Sequence, residues 1–323
     1  MPDTATELQP NRLVPKSGDV FDVIIIGAGP AGMSAALGAG RARLKTLIID
    51  KALPGGQTTT ACNIYNYLGF PGGILGADLA KKMEDHLFEY GIYHTCESVD
   101  TINDIYEKEK VVRTDLNNLY RTKGIIISVG LEPKKLNMPF ERQFLGRGIS
   151  YCAQCDAANY AGKVVAVIGG GNCACYAADY LSQFAKKIYM IHQKDHLRAV
   201  MTLKEKIFNN PIINLMWDSQ VTEVFGIDKV EKIKVVNMLN DQYTWLDVNA
   251  IFIYAGRIPP VEILNLNLKR DEGGFIITDE YMRTNIPGVY AAGDIRSKQI
   301  RQIPTAVSDG MIAAINVERD LTR

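Results

Sequence analysis

Two stretches of the chain repeat one order of apolar and polar blocks. Asp22-Val23-Ile24-Ile25-Ile26 has the continuous apolar pattern of a strand buried on both faces. It runs into Gly27-Ala28-Gly29-Pro30-Ala31-Gly32, and the alanine-rich spacing that follows predicts a helix from Met33 to about Gly40. Thr46-Leu47-Ile48-Ile49 predicts a second strand, ending on Asp50. The order returns at Lys163-Val164-Val165-Ala166-Val167-Ile168, followed by Gly169-Gly170-Gly171-Asn172-Cys173-Ala174, a helix to about Phe184 and the strand Lys187–Ile191. Roughly 140 residues separate the two glycine turns. Gly124–Gly130 and Gly288–Asp294 predict further strands, the second ending on Gly293-Asp294. Leu131–Lys135 and Ala255–Pro260, rich in Pro, Gly and charge, are candidate linkers.

A strand, a glycine turn, a helix and a second strand within about 30 residues form the setting in which GxGxxG binds a dinucleotide. Gly27 makes the tight turn, Gly29 lets backbone approach a pyrophosphate, and Gly32 allows helix–strand contact. The helix N-terminus offers unpaired N–H groups to phosphate. Asp50, 23 residues after Gly27, is placed to accept from ribose hydroxyls. The competing reading is an ordinary glycine-rich turn, and the second strand with its terminal acid weighs against it.

Composition narrows the class. The 323 residues are 47% apolar, enough for a buried core and for two domains. Lysine plus arginine equals aspartate plus glutamate at 36 each, so no bulk field favours nucleic acid or an acidic membrane. No apolar run approaches the ~20 residues of a membrane span. Residues 1–20 read as a polar, flexible extension; they lack a signal peptide's apolar centre, and Asp3, Glu7 and Asp19 argue against a transit peptide. A cytoplasmic location is expected.

Six cysteines are too few for a disulfide scaffold, so Cys152-Ala153-Gln154-Cys155 reads as redox-active or metal-binding. The spacing Cys152-x2-Cys155-x17-Cys173-x-Cys175 is close to a zinc ribbon's. Residues two apart on a helix point to nearly opposite sides, so Cys173 and Cys175 cannot both face one metal, and no metal site is expected. Cys62 and Cys96 read as buried small apolar residues. His192 and His196 read as nucleotide-pocket or surface residues.

The Gly-x-Gly-x-x-Gly turn, Cys152-Ala153-Gln154-Cys155-Asp156 and Ala291-Ala292-Gly293-Asp294 closely resemble the low-molecular-weight thioredoxin reductases. Gly55-Gly56-Gln57, Asn66–Phe70, Met282–Gly288 and Arg301-Gln302-Ile303 match as well, so the resemblance covers about residues 21–320. It implies an α/β homodimer with two Rossmann-like nucleotide-binding domains, one inserted in the other. The FAD domain would comprise residues 21–131 and 262–323, and the inserted domain residues 132–261. Gly27, Gly29, Pro30, Ala31, Gly32, Asp50 and Lys51 would hold the adenine-nucleotide half of FAD. Gly55, Gly56, Gln57, Asn66, Gly293, Asp294, Arg301, Gln302 and Ile303 would meet its flavin half. Cys155 would receive electrons from the flavin and Cys152 would attack the disulfide of a thioredoxin-like protein. Asp156 is the natural proton carrier, since a thiolate leaving group needs an acid nearby.

The second glycine fold departs from the NADPH-using members, which carry Gly-Gly-Gly-Asn/Asp-Ser/Thr-Ala-x-Glu-Glu-Ala and His-Arg-Arg-x-x-x-Arg. Here Tyr176 and Ala177 replace the two Glu, and the second motif reads His192-Gln193-Lys194-Asp195-His196-Leu197-Arg198. Losing a charge-assisted contact to a 2′-phosphate costs roughly 1.5–3 kcal/mol. No acid stands at the strand end to favour NAD instead. Gly169, Gly171, Asn172, Cys173, Ala174, Tyr176, His192, Lys194 and Arg198 would line this second site. The pattern is similar to the subgroup that takes electrons from ferredoxin, some members holding a second FAD there. The alternative is a conventional NADPH-dependent reductase with a weakened, NADP-binding clamp. Tyr176, placed in the helix's first turn, is either a stacking platform or an ordinary packed aromatic.

Overall fold

Strand Val20–Ile26 lies inside a seven-stranded sheet, parallel to Thr46–Asp50 on one side and to Leu119–Ile127 on the other. The computed structural model describes residues 13–61, 63–136, 141–260 and 266–322. Tyr93–Cys96 forms one edge of this sheet, and Lys110–Thr114 and Val99–Asn103 extend the other. Strand Leu119–Ile127 changes character halfway. Its first half alternates exposed and buried positions and pairs antiparallel with Lys110–Thr114. Its second half, Gly124–Ile127, is buried throughout and pairs with Val289–Ala291. Alternation marks a half-covered ladder and the isoleucine run a strand covered on both faces.

Those covers are two apolar clusters. On one face Ile24, Ile26, Leu47, Ile49, Ile125 and Ile127 pack together with Val289 and Ile295. On the other, Val23, Ile25, Ile48 and Ile126 meet the helices Pro30–Arg41 and Ile303–Leu321. Gly38 lets these helices meet closely, since a Cβ there would come within 2.8 Å of Ala314 Cβ.

The chain divides into two compact units: residues up to Glu132 with those from Ile258 onward, and Pro133–Arg257. The second unit has its own five-stranded parallel sheet, ordered Ile149–Ser150, Ala250–Ile253, Val164–Ile168, Lys187–Ile191, Ile213–Met216. Helix Asn172–Leu181 packs on it, and a three-stranded antiparallel sheet spans Ser219–Phe225, Lys232–Asn237 and Tyr243–Asp247. No helix among the described residues is long and apolar enough to cross a membrane.

Two expectations change. Residues 13–19 are not a loose extension: Leu13 bridges Tyr93, its carbonyl accepts from His94 N at 3.1 Å, and Gly18 N donates to Leu119 O at 2.7 Å. The unpaired side of the edge strand Tyr93–Cys96 supplies that partner. Cys96 is exposed rather than buried, because it ends an edge strand; its nearest partner is the Ala52 carbonyl at 3.8 Å. Cys62 lies outside the described residues.

Candidate active site and nucleotide sites

The first glycine turn is built by close approach. Gly27 has φ +105°, and a Cβ there would lie 2.5 Å from the Ser128 carbonyl oxygen. A Cβ on Gly32 would lie 1.8 Å from Gly27 O, whereas beside Gly29 the space is open. Ser128 Oγ lies 2.9 Å from Gly27 O and 3.0 Å from Ile26 O, fastening the turn to the neighbouring strand. Asp50 accepts from Ala28 N at 2.6 Å and, through its other oxygen, from Ala52 N at 3.0 Å. Its carboxylate therefore shapes the turn, with lone pairs left for a ribose. Lys51 instead pairs on the surface with Glu132 at 3.1 Å.

The residues expected around a flavin converge on this turn within the same unit. Gly55 N donates to Ala28 O at 2.8 Å, and a Cβ on Gly56 would come within 3.1 Å of Gly29 Cα. Gln57 Nε2 donates to Leu131 O at 2.6 Å. A Cβ on Gly293 would lie 2.7 Å from Ala31 Cβ. Asn66 Nδ2 donates to Gln302 Oε1 at 2.9 Å, joining residues 236 apart in sequence. Gln302 caps the helix Ile303–Leu321 in a reciprocal box with Thr305, and Ile303 packs against Ile64, Ile74 and Leu79. Arg301 Nε donates to Asp294 O at 3.2 Å while its guanidinium stacks on Phe275 at 3.9 Å.

Asp294 is the test of whether these residues fit FAD. Its Oδ1 is buried and has no hydrogen-bond partner among the described residues, the Lys298 ammonium standing 3.7 Å away, and burial raises the carboxyl's pKa despite Lys298. An acceptor left unmet at the mouth of a glycine turn suits a ribityl hydroxyl. The residues fit. Asp309, which the sequence reading missed, holds this corner together: it accepts from Gly293 N at 3.1 Å, Lys298 Nζ at 2.9 Å and Arg296 Nη1 at 2.8 Å. The available signal was an acid inside the apolar face of the C-terminal helix.

In the second unit Cys152 and Cys155 are joined as a disulfide, Cα atoms 5.4 Å apart. Cys155 lies within the short helix Ala153–Asp156, for which Cys152 is the N-cap: the Cys152 sulfur accepts from Cys155 N at 3.2 Å. An N–H aimed at that sulfur stabilises negative charge on it once the bond opens. Cys155 is exposed and Cys152 half-buried. Asp156 is held by Ser150, whose hydroxyl donates to its Oδ2 at 2.6 Å and accepts from Cys152 N at 3.0 Å. Tyr254 OH accepts from Ala153 N at 2.9 Å. The sequence reading missed Ser150 and Tyr254; only the nearness of Ser150 to the cysteines pointed to it.

The second glycine turn repeats the first. Gly169 has φ +133°, and a Cβ there would lie 2.4 Å from Tyr254 O. Arg198 N donates to Gly170 O at 2.7 Å and Val200 N to Asn172 Oδ1 at 2.8 Å, so segment 198–200 walls the turn. His192 is 6% exposed, and its ring would lie 2.4–2.6 Å from a Cβ on Gly170. Its Nε2 is buried without a partner among the described residues, and burial, with Arg198, lowers the ring's pKa. Lys194 and Arg198 are exposed, while Gln193 Nε2 donates to Gln220 Oε1 at 3.3 Å. His196 is exposed and pairs with Asp195 at 2.6 Å. Tyr176 lies past the first turn of helix Asn172–Leu181, which starts at Asn172, and packs partly buried against that unit's core. Cys173 is exposed and Cys175 fully buried, its thiol pushed up to about 11 by burial, so the two face apart. Ala174 is buried beneath the turn.

Two glycine-turn nucleotide folds, one followed by a Gly-Asp corner with an unmet acceptor and the other preceded by a Cys-x-x-Cys disulfide, define a flavin-dependent disulfide oxidoreductase. The chain belongs to the pyridine nucleotide-disulphide oxidoreductase family, which it matches over residues 21–310. It is 40% identical over 302 residues to the thioredoxin reductase of Listeria monocytogenes, spanning 93% of each chain. The solved thioredoxin reductase of Lactococcus lactis superposes with a TM-score of 0.90 at 39% identity, covering 94% of this chain and 99% of that one. A ferredoxin-flavin thioredoxin reductase from Clostridium acetobutylicum superposes with a TM-score of 0.52 at 31% identity, covering 94% and 99%.

Proposed function

We propose that this chain reduces the disulfide of a thioredoxin-like protein through Cys152 and Cys155, with electrons delivered by FAD held at Gly27–Gly32, Asp50, Gly55–Gln57, Asn66, Asp294 and Arg301–Ile303. The observation that carries it is the cysteine turn: an N–H on the Cys152 sulfur and an acid, Asp156, fixed by Ser150 six residues upstream. FAD, when bound, supplies the electron pair that opens the Cys152–Cys155 bond. The Cys152 thiolate then attacks the partner's disulfide, forming a mixed disulfide, and the displaced partner thiolate takes a proton from Asp156. Cys155 attacks Cys152 in turn, which restores the internal disulfide and releases the partner as a dithiol. A Cys155→Ser variant stalls at the mixed disulfide; if mixing it with an oxidised thioredoxin leaves no covalent adduct, the assignment of Cys152 is wrong.

The donor reading best supported by the relatives' names is the conventional one, a reduced pyridine nucleotide in the turn Gly169–Ala174. Lys194 and Arg198 would serve the 2′-phosphate there, without a second arginine. Gln193, Tyr176 and Ala177 favour a second reading, in which ferredoxin or a second FAD feeds the enzyme; ferredoxin and flavin both stand in the name of the Clostridium acetobutylicum structure. Anaerobic titration separates them. Flavin bleaching at micromolar NADPH supports the first; no bleaching, with prompt reduction by ferredoxin or two FAD per chain, supports the second. The resemblance also makes a homodimer the expected assembly, which sedimentation of the purified chain tests.

A further inference from the structure

Aligning the two glycine turns position by position sets Gly169 on Gly27, Gly171 on Gly29 and Cys173 on Ala31. In the first unit the Ala31 position faces the cofactor corner, because its Cβ lies against Gly293. In the second unit the same position carries a free, exposed thiol in the first turn of the ten-residue helix Asn172–Leu181. A second, independent feature marks this turn as a ligand site: the 6%-exposed His192 ring lies against Gly170 with its Nε2 unmet. Space is open beside Gly171. The wall is pinned by the bonds from Arg198 N to Gly170 O and from Val200 N to Asn172 Oδ1, so it cannot swing aside for an added group. Cys175, the nearest thiol in sequence, is fully buried on the other side of the helix and cannot resolve a disulfide with Cys173.

We propose that Cys173 is a modification site that closes the second nucleotide turn: joined to a low-molecular-weight thiol, it blocks the phosphates of an incoming nucleotide. This rests on the reading that a nucleotide occupies that turn. In the step, Cys173 loses its proton to solvent and attacks a small-molecule disulfide such as oxidised glutathione. One sulfur–sulfur bond forms at Cys173, the original one breaks, and the released small thiolate takes up a proton. A dithiol reverses the reaction by the same exchange. The adduct's bulk and carboxylates then stand where the helix N-terminus would receive phosphate.

The test uses the full-length, FAD-loaded, oxidised protein, in which Cys152 and Cys155 are protected as their disulfide. It is treated with oxidised glutathione, peptide mapping locates the adduct, and calorimetry measures binding of NADPH and, separately, of FAD as the second-site probe. Expected results are an adduct on Cys173, a loss of affinity of about tenfold or more for the probe that binds, and recovery after reduction. Bound probe should slow alkylation of Cys173, and Cys173→Ser should lose the treatment effect, its affinity for the probe being the same before and after exposure to oxidised glutathione. An unmodified Cys173, or an adduct that leaves affinity within about twofold, overturns the proposal while the donor reading stands. If neither probe binds the untreated protein, the reading that a nucleotide occupies that turn fails and this proposal fails with it.

Discussion

At the scale of single residues the flavin corner sets function against stability. Burial raises the pKa of Asp294, so the folded chain prefers the protonated carboxyl and ionisation at neutral pH costs folding free energy. The penalty is fully present above the raised folded value and is relieved as pH falls through it toward the ordinary 3.8. Asp294→Asn should therefore raise the melting temperature of the apoprotein at pH 7, with the gain vanishing near pH 4, while weakening FAD retention. Thermal unfolding at the two pH values and flavin release on dilution check both halves; a variant less stable at pH 7 would place the acid's main role in folding. A second substitution tests the proton carrier. Ser150→Ala frees Asp156 and leaves Cys152 N without its acceptor. Losing that hydrogen bond should slow thioredoxin reduction by about tenfold and shift the pH profile, with partial rescue by Ser150→Thr. An unchanged pH profile would mean that Asp156 acts without Ser150. Residues whose chemistry lies in a contiguous motif were legible from sequence: the cysteine pair, Asp156, and the glycines of both turns. Ser128, Tyr254 and Asp309 were not, because each works through partners about 11 to 102 positions away, which spacing alone cannot reveal.

At the scale of elements, the strands and helices flanking each glycine turn were readable because local pattern and tertiary burial agree there. Strand Lys187–Ile191 has its expected bounds, and the helix starting at Pro30 uses the proline at its first turn, as the missing N–H allows. Boundaries slipped where context overrode pattern. Of the run Gly124–Gly130 only Gly124–Ile127 is strand, the tail of one that begins at Leu119, because Lys110–Thr114 offers a ladder to its polar first half. Cys96 was misjudged because residue type gives no sign that its strand is an edge. The glycine turn itself gives a sharp test. Gly32→Ala would put a methyl 1.8 Å from Gly27 O, where the obstacle is backbone and cannot rotate away. The expected result is a loss of about 1–3 kcal/mol of stability with poor FAD retention, whereas Gly29→Ala, facing open space, should fold normally and lose mainly FAD affinity. Denaturant unfolding of the two apoproteins separates them; equal stability would remove the packing role assigned to Gly32.

At the scale of the whole molecule, each unit carries its own core. The clusters around Ile24 and Ile25 draw only on residues up to 131 and from 266 onward, and those around Val165 and Ile168 only on residues 136–255. The inserted unit also closes on itself, since Lys134 N donates to Gly256 O at 2.9 Å and its two ends therefore meet. A segment with adjoining ends and a private core can be removed without leaving a wide gap. Deleting residues 133–257 and joining Glu132 to Ile258 through a short glycine linker should yield a folded protein that binds one FAD and turns over no disulfide. The converse piece, Pro133–Arg257 alone, should fold and form the Cys152–Cys155 disulfide without binding FAD at the first turn. Visible absorbance of the first piece and thiol titration of the second are the readouts. If both pieces aggregate, the separate cores do not suffice for independent folding. If the first folds but stays colourless, the residues gathered around Asp294 are not enough to hold the flavin, and part of that site must come from the inserted unit or from a second copy of the chain.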